Sequence, residues 1–397
     1  MFAVAKPLRA RSVVHLNIAD FAVAVERMVD RGLEGRPVII AQDNAARATV
    51  HDMSEEAYQC GIRKSMPLKD ALRCCRDAVV RPPHPDRYER AMRDVFREVA
   101  GFSPLIEPGE IDGHFFIDVS GTSRLFGPSV DVAWRMYQKI RKSLGLVPIW
   151  SVAPNKLVSK VASRLVKPVG EYVVGEGEEH AFLSPLSVHL LPGMEDQDLR
   201  QLNDFNISSA KQVADLDFEQ LEVIFGKRAG FIFDTVRGID DTPVAPAGQQ
   251  PDKIIASRVF GEDTGEVETM EGAMYLLVEK IGNGLRRRRK AAKSLSIMID
   301  YIDGLRCFRN LSVCPPSAND ILLFESARKL LYMAWTRRIR VRCIRLTCRK
   351  PVHHQPQLTL FGREKKEARS EAVIAAVDDI RRRFGSGAVC MGRSFGR

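Results

Sequence analysis

Apolar residues recur at two spacings along the chain, and together they predict several mixed sheets and helices. Phe115-Phe116-Ile117, followed by Asp118-Val119, reads as a strand buried in a sheet, entered past Glu110 and Asp112 and left by a turn at Gly121. Val13-Val14-His15-Leu16-Asn17-Ile18 is a second short apolar run, followed by a turn and a short helix around Phe21 to Arg27. Residues 33–39 turn into another strand through Gly35 and Pro37. Helical spacing follows over 67–76 and over 85–100, the latter with Tyr88, Met92, Val95, Phe96 and Val99 on one side. It returns over 128–143, with Val132, Ala133, Trp134, Met136, Tyr137 and Ile140 as apolar points. These stripes read as core packing.

The stretch PVAPAGQQP at 243–251 has linker composition. Beyond it, strand-like runs at Glu266-Val267-Glu268, Leu295 to Ile299 and Arg340 to Leu346 alternate with helices near 270–291 and 319–333. The order there is strand–helix–strand–strand–helix–strand. From 365 to 386 an amphipathic helix carries Ala372, Val373, Ala376, Val377, Ile380 and Phe384 on its apolar side.

A chain of 397 residues is too long for one ordinary core, so two to four domains are expected. With 45% hydrophobic and 28% charged residues it is globular, and its net charge of +10 suits a polyanionic partner. The eight cysteines form no CxxC pair, which argues for reduced thiols in a cytosolic protein and against structural zinc. No run reaches about 18 apolar residues, and the first 20 residues lack a secretory pattern.

Acids at the mouth of a central strand are where a two-metal enzyme would place its ligands, because closely spaced divalent ions need shared carboxylates. Taken alone, Asp112 is equally an acidic turn residue before a core strand. The context weighs more. Residues 13–21, Asp112–Gly127, Pro154-Asn155-Lys156 and Gln357 to Phe361 together resemble a Y-family translesion DNA polymerase of the bacterial UmuC/DinB type. The resemblance runs from about residue 13 to 390. It implies an α+β multidomain, right-hand architecture. Palm would take 1–25 and 76–168, fingers 26–75, a helical thumb 169–240, a linker 241–251 and a little finger 252–350. A clamp-binding peptide and C-terminal helix would fill 351–397.

The departures fall on the chemistry. Where the family keeps two acids on the first strand, this chain has Asn17 and Ala19, and Asn17 offers a metal only a neutral carbonyl oxygen. Asp20 is displaced by one position and is expected to point elsewhere. Ala22 stands where a bulky side chain usually excludes ribonucleotides. Glu55 and Tyr58 replace the tyrosine and arginine that hold a triphosphate, although Gly61, Met66 and Pro67 keep the local architecture. Asp112-Gly113 supplies only the first of two adjacent acids. The segment is also one residue longer than usual, so either Asp112 matches the family acid or Gly113-His114 fills the pair. A one-residue slip reverses a strand's faces.

The binding features are better kept. Lys156, Lys160 and Arg164 share a helical face, with Lys160 at the family's phosphate-contacting position. They could equally form a solvated face. Leu190-Leu191-Pro192-Gly193-Met194-Glu195 resembles a helix-hairpin-helix entrance, weakened for phosphate because Glu195 replaces a glycine. Arg286-Arg287-Arg288-Arg289-Lys290 closes a helix. Arg340 and Arg342 are expected on one face of a strand, with Val341 and Cys343 on the other, as a phosphate-binding surface or a solvated basic one. Gln357-Leu358-Thr359-Leu360-Phe361 resembles the peptide that binds the bacterial beta sliding clamp: the glutamine anchors it, and Leu358, Leu360 and Phe361 complete it.

The pattern resembles the catalytically degraded, ImuB-like branch of the family. It implies a noncatalytic subunit that binds primer-template DNA and the clamp, and needs no cofactor. It would bring in an error-prone replicative-type polymerase, with an accessory RecA-like protein as a further partner, in the cytoplasm at the nucleoid and away from membranes. One alternative is an active polymerase using Mg²⁺ or Mn²⁺ at a rearranged site of Asp112 with Asp118, Glu110 or Asp20. Another is a general DNA-binding scaffold with no clamp role.

Overall fold

The computed structural model describes residues 11–42, 48–248, 253–353, 365–385, 388–389 and 392, and the side chains of 365–368 lie outside the description. The chain divides into two compact units, Met1–Gln249 and Gln250–Arg397.

The first unit opens with strand Val13–Ile18 (β1) and then leaves for a small sheet of Val38–Ile40 (β2), Asp52–Met53 (β3) and Val79–Arg81 (β4). It returns as Ile106–Pro108 (β5), His114–Asp118 (β6), Pro148–Ala153 (β7) and Glu171–Val173 (β8), giving the order β5-β6-β1-β7-β8 with β1 central. In the small sheet β2 pairs parallel with β4 and antiparallel with β3.

Every residue of β1 is buried, because both faces of the strand are covered. Val14, Leu16, Ile18, Phe115 and Ile117 share a core with residues of helices Pro85–Val99 and Ser129–Leu144. Each such buried side chain contributes roughly 1.5–3 kcal/mol of transfer free energy. Helix Lys156–Leu165 packs against β1 and β7, and Asn155 caps it by accepting from Val158 N at 2.9 Å. Val158, Val161 and Ala162 of that helix extend into a cluster of short helices over residues 179–237. Three capping boxes, at Glu195/Asp198, Ser209/Gln212 and Asp217/Gln220, start helices in that cluster.

One expected core residue is outside the core. Trp134 is 46% exposed and stacks on Tyr137 with centroids 5.2 Å apart, so the buried stripe of its helix is Val132, Ala133, Met136 and Ile140.

The second unit is an antiparallel sheet of Lys253–Thr264 (β9), Lys290–Tyr301 (β10), Arg306–Ser317 (β11) and Val341–Arg349 (β12), in the order β11-β10-β12-β9, with Val352–His353 (β13) paired to β10. Helices Val267–Arg287 and Asp320–Ala334 share its core. The strand expected at Glu266-Val267-Glu268 is instead the start of the first helix. The true strand, β9, lies at the end of the sheet order, where few inward apolar residues suffice, and its polar end from Gly261 to Thr264 hides the alternation. Helix Lys365–Phe384 joins this unit through buried Ile374 and ion pairs from Asp378 and Arg381.

Candidate functional site

The register of β1 against β6 decides the site. Asn17 lies opposite His114, and Ile18 N donates to Gly113 O at 3.0 Å. Gly113-His114 therefore fills the place where the paired acids were sought. Directly opposed residues share a face, so the imidazole of His114 stands beside the amide of Asn17.

Asp112 sits in the preceding turn, exposed, between Ile111 at φ 54° and Gly113 at φ 78°. Its Oδ1 accepts from His114 N at 3.2 Å, and a Cβ on Gly109 would lie 2.1 Å from that oxygen. The carboxylate is thus folded back over its own turn. Glu110 is exposed in the same turn. Asp118 pairs with Val13 at the far end of β6, about 13 Å along the strand from His114 at the usual rise. Its Oδ1 accepts from Ser120 N at 2.9 Å, and its Oδ2 lies 3.7 Å from Arg11. Ala19 has no donor to offer. The rearranged set of Asp112, Asp118 and Glu110 is therefore not brought together.

A hydrogen-bonded relay stands on this face. His15 Nδ1 is 2.8 Å from Ser163 Oγ, Ser163 Oγ donates to Lys160 O at 2.9 Å, and His15 Nε2 is 3.1 Å from His114 Nδ1. With the serine proton committed, His15 donates through Nδ1 and accepts from His114 Nδ1–H, leaving the Nε2 lone pair of His114 unused. The two rings stack at 5.1 Å, and Phe116 lies 4.5 Å from His15. Burial lowers the pKa of His15 well below its ordinary value, and His114 and Lys160 lower it further. Burial, Lys160, Lys167 and Arg164 push His114 down to about 3. Both rings are neutral at physiological pH. Lys160, Arg164 and Lys167 are themselves lowered, chiefly by burial.

Asn17 is 1% exposed, and its Nδ2 has no hydrogen-bond partner among the described residues. An orphaned donor near the cationic side chains of Lys160, Arg164 and Lys167 attracts an acceptor rather than a metal. No three His, Cys, Asp or Glu side chains among the described residues converge as metal ligands. The divalent ions that Y-family enzymes use do not fit this donor set.

The neighbouring corner holds one acid that sequence reading passed over, Asp52, beside Asp20 and Glu55. Asp52, 4% exposed, accepts from Ala22 N at 3.0 Å and lies 2.8 Å from Lys64. Asp20 caps the helix from Phe21 in a left-handed conformation, and burial, with Asp52 nearby, raises its pKa to about 6. Glu55 begins a helix capped by Ser54, and Tyr58 carries the guanidinium of Arg63 at 3.9 Å from its ring centre. Ala22 is buried. Only the contacts across the fold identify Asp52, Lys64 and Lys167 as members of this corner.

The candidate phosphate ligands divide. Lys156 is 2.8 Å from Glu107, and Arg164 Nη1 donates to Leu190 O at 2.7 Å, while Lys160 stays half-buried near Asp112. In the hairpin Leu190 to Glu195, Arg228 binds Gly193 O, Glu195 and Asp198. Arg286, expected on DNA, is instead buried in ion pairs with Asp320 and Asp378, each 2.6 Å away. Arg287 and Arg289 are exposed and Arg288 is half-buried. Arg340 and Arg342 do not share a strand face: Arg340 precedes β12, a register shift separates Val341 from Cys343, and Arg342 Nη2 donates to Ile302 O at 3.1 Å. Val341, Ile344, Leu346 and Cys348 point into the core, so the face turned from it carries exposed Arg345, opposite Met298 and Ser257. The clamp residues Gln357, Leu358, Leu360 and Phe361 lie outside the described residues.

Beside the relay, a cleft of about 750 Å³ opens between the central sheet and the short helices. Phe116, Lys156 and Lys160 line one side, with Gly193, Phe231 and Asp234 among the residues of the other.

Comparison with known proteins agrees with this framework. Residues 16–164 match the impB/mucB/samB family and residues 251–360 match the impB/mucB/samB family C-terminal domain. A DNA polymerase IV from Desulfatibacillum aliphaticivorans is 30% identical over 380 residues, covering 95% of either chain. One from Caulobacter vibrioides is 29% identical, covering 96% of this chain and 94% of its own. Among solved structures, a Y-family polymerase chimera built on Dbh superposes with a TM-score of 0.72 at 19% identity, over 86% of this chain and 100% of that one. DinB from Sulfolobus solfataricus gives 0.61 at 19% identity, over 87% and 100%. With both family regions matched in order and the fold shared end to end, the chain belongs to the impB/mucB/samB family of Y-family, UmuC/DinB-like proteins.

Proposed function

We propose that this chain is a noncatalytic member of its family: it binds primer-template DNA, engages the beta sliding clamp and serves translesion synthesis carried out by another polymerase. The observation that carries the reading is the pairing of Asn17 with His114, which sets a neutral amide and a neutral imidazole near Lys160, Arg164 and Lys167 where the chemistry needs carboxylates. In this reading palm 1–25 and 76–168, fingers 26–75, thumb 169–240 and little finger 252–350 hold the DNA. Lys160, Arg287, Arg289 and Arg345 supply phosphate contacts. Gln357, Leu358, Leu360 and Phe361 dock on the clamp, and an error-prone replicative-type polymerase, with a RecA-like accessory protein, is the recruited partner.

The test is primer extension by the purified chain over a range of Mg²⁺ and Mn²⁺, beside a binding measurement on the same primer-template. No extension with intact binding is expected. Extension that disappears on replacing Asp112 and Asp118 by alanine would sink the proposal. It would establish the second reading, an active polymerase, which the 30% identity to a DNA polymerase IV favours. Clamp binding should disappear when Gln357, Leu360 and Phe361 become alanine. An intact chain that never binds the clamp would leave a general DNA-binding scaffold.

A further inference from the structure

We infer that the cleft between the central sheet and the thumb helices is a metal-independent site for one unpaired nucleotide of the bound DNA. The assignment rests on the noncatalytic reading for its role, but on the cleft's own construction for its chemistry. Three features of the cleft match the parts of a nucleotide. Two phenyl rings line it: Phe116, seated against the His15 ring, and Phe231, which is 42% exposed. Every nucleobase has a π-face, so an aromatic floor holds any base without reading sequence.

Phe231 is held where it is by its surroundings. A Cβ on Gly193 would come within 2.5 Å of the ring, so only glycine lets the hairpin pass beneath it, and Arg228 covers it at 5.0 Å. The lysines form a second group. Lys156 lies 5.4 Å from the Phe116 ring centre, and Lys160 stands next to the relay. Lys156 is held 2.8 Å from Glu107, so Lys160 is the cation placed to meet a backbone phosphate without a divalent ion. Across the cleft, exposed Asp234 and Asp241 can accept from the edge of a base.

A double helix cannot put a base into such a cleft without opening, so the occupant is an unpaired nucleotide. At a primer-template junction it can come from the 3′ end of the primer or from the template overhang. A single 5-iododeoxyuridine placed at an unpaired primer 3′ end, in the overhang or within the duplex distinguishes these sources. The full chain is irradiated with each DNA in EDTA, and the crosslinks are mapped by mass spectrometry. Crosslinking to Phe116 or Phe231 is expected from one of the two unpaired positions, and which one identifies the source. Affinity should be higher for the DNA with that nucleotide unpaired than for its fully paired counterpart, by at least about fivefold, the low end of a base–aromatic stack.

Phe231→Ala and Phe116→Leu should remove that preference while binding of fully paired DNA is kept. The exposed Phe231 can be cut back without a folding cost, so loss of all binding is not the expected outcome for it. Crosslinks confined to other regions, equal affinity for the two DNAs, or crosslinking from the duplex position alone would overturn the assignment. Because EDTA removes any extension, these results stand apart from the polymerase test. Extension in Mg²⁺ together with cleft crosslinking would overturn the noncatalytic reading and leave the nucleotide site in place.

Discussion

On one side of β1 and β6, Val14, Leu16, Ile18, Phe115 and Ile117 are at most 2% exposed and interlock with two helices. On the other side, the same strands present His15, Asn17, His114 and Phe116. The first face has no freedom, because each side chain fills space that its neighbours cannot, and any change of volume leaves a hole or a clash. The second carries a hydrogen-bonded relay from Ser163 through His15 to His114, beside the unpartnered amide of Asn17, and is governed by polar contacts rather than by volume. On the noncatalytic reading proposed above, a fold keeps its shape while its chemistry is exchanged, because the exchange stays on the side that packing does not dictate.

The sharpest way to break this contrast is on the packed face. Phe115→Ala should cost about 3–5 kcal/mol, as a large ring lost from a closed core does, and a urea titration should show the first unit unfolding at markedly lower denaturant. A cost under about 1 kcal/mol would mean that the core face is as replaceable as its opposite.

The next test tries to restore an acid. Gly113→Glu puts a carboxylate at the first position of the Gly113-His114 pair, but Gly113 has φ 78° and an added Cβ would lie 2.9 Å from Ile18 O and 3.0 Å from Phe21. The left-handed backbone and the overlap together should cost roughly 2–4 kcal/mol. Asn17→Asp combined with Gly113→Glu should therefore lower the melting temperature and produce no primer extension in Mg²⁺. A stable, extending double variant would show that the two faces are less independent than the register implies.

Much of this was legible in advance. The alternation in residues 13–18 and 114–118 is written in apolar spacing, as is the element order of the second unit, because burial imposes those periods. That Asn17 and Ala19 stand where the resembled family keeps acids could be read from its pattern, whereas the choice between Asp112 and Gly113-His114 stayed open in the sequence. What the chain hides are pairings between distant residues. His15 with Ser163, Asp52 beneath Ala22 and Arg286 with Asp378 are separated by 148, 30 and 92 positions, and no local pattern couples them. Arg286 looked like a DNA ligand because a basic helix end is common to both roles. β9 was missed because an edge strand needs little apolar alternation.

A smaller effect sharpens the electrostatic half of the comparison. Asp20 has a folded-state pKa near 6, above its ordinary 3.8, so the folded protein holds that proton more tightly than the unfolded chain does. Stability should then fall as pH rises from about 4 to about 6, with the full cost present above that range. Asp20→Asn, which keeps a residue tolerant of the left-handed backbone, should stabilise at pH 7.5 by roughly 1–2 kcal/mol after allowing for solvent screening. The gain should vanish near pH 4. A variant equally stabilised at both pH values would remove the charge from the explanation.

The smallest expected effect on folding carries a large functional contrast. Arg345 is exposed on the face of the second unit's sheet that points away from the core. Arg345→Ala should therefore change stability by no more than about 0.5 kcal/mol. If that face lies along DNA phosphates, the variant should bind primer-template more weakly, by a similar factor whatever the sequence, and the slope of log affinity against log salt should shrink by about one. Arg286→Ala supplies the opposite sign. It strands buried Asp320 and half-buried Asp378, so it should cost about 2–4 kcal/mol and leave the salt slope unchanged wherever the unit remains folded. Two arginines of one domain would then separate as the two faces of β1 and β6 do, one held by packing and the other available for chemistry. Equal salt slopes in all three proteins would remove Arg345 from the DNA surface.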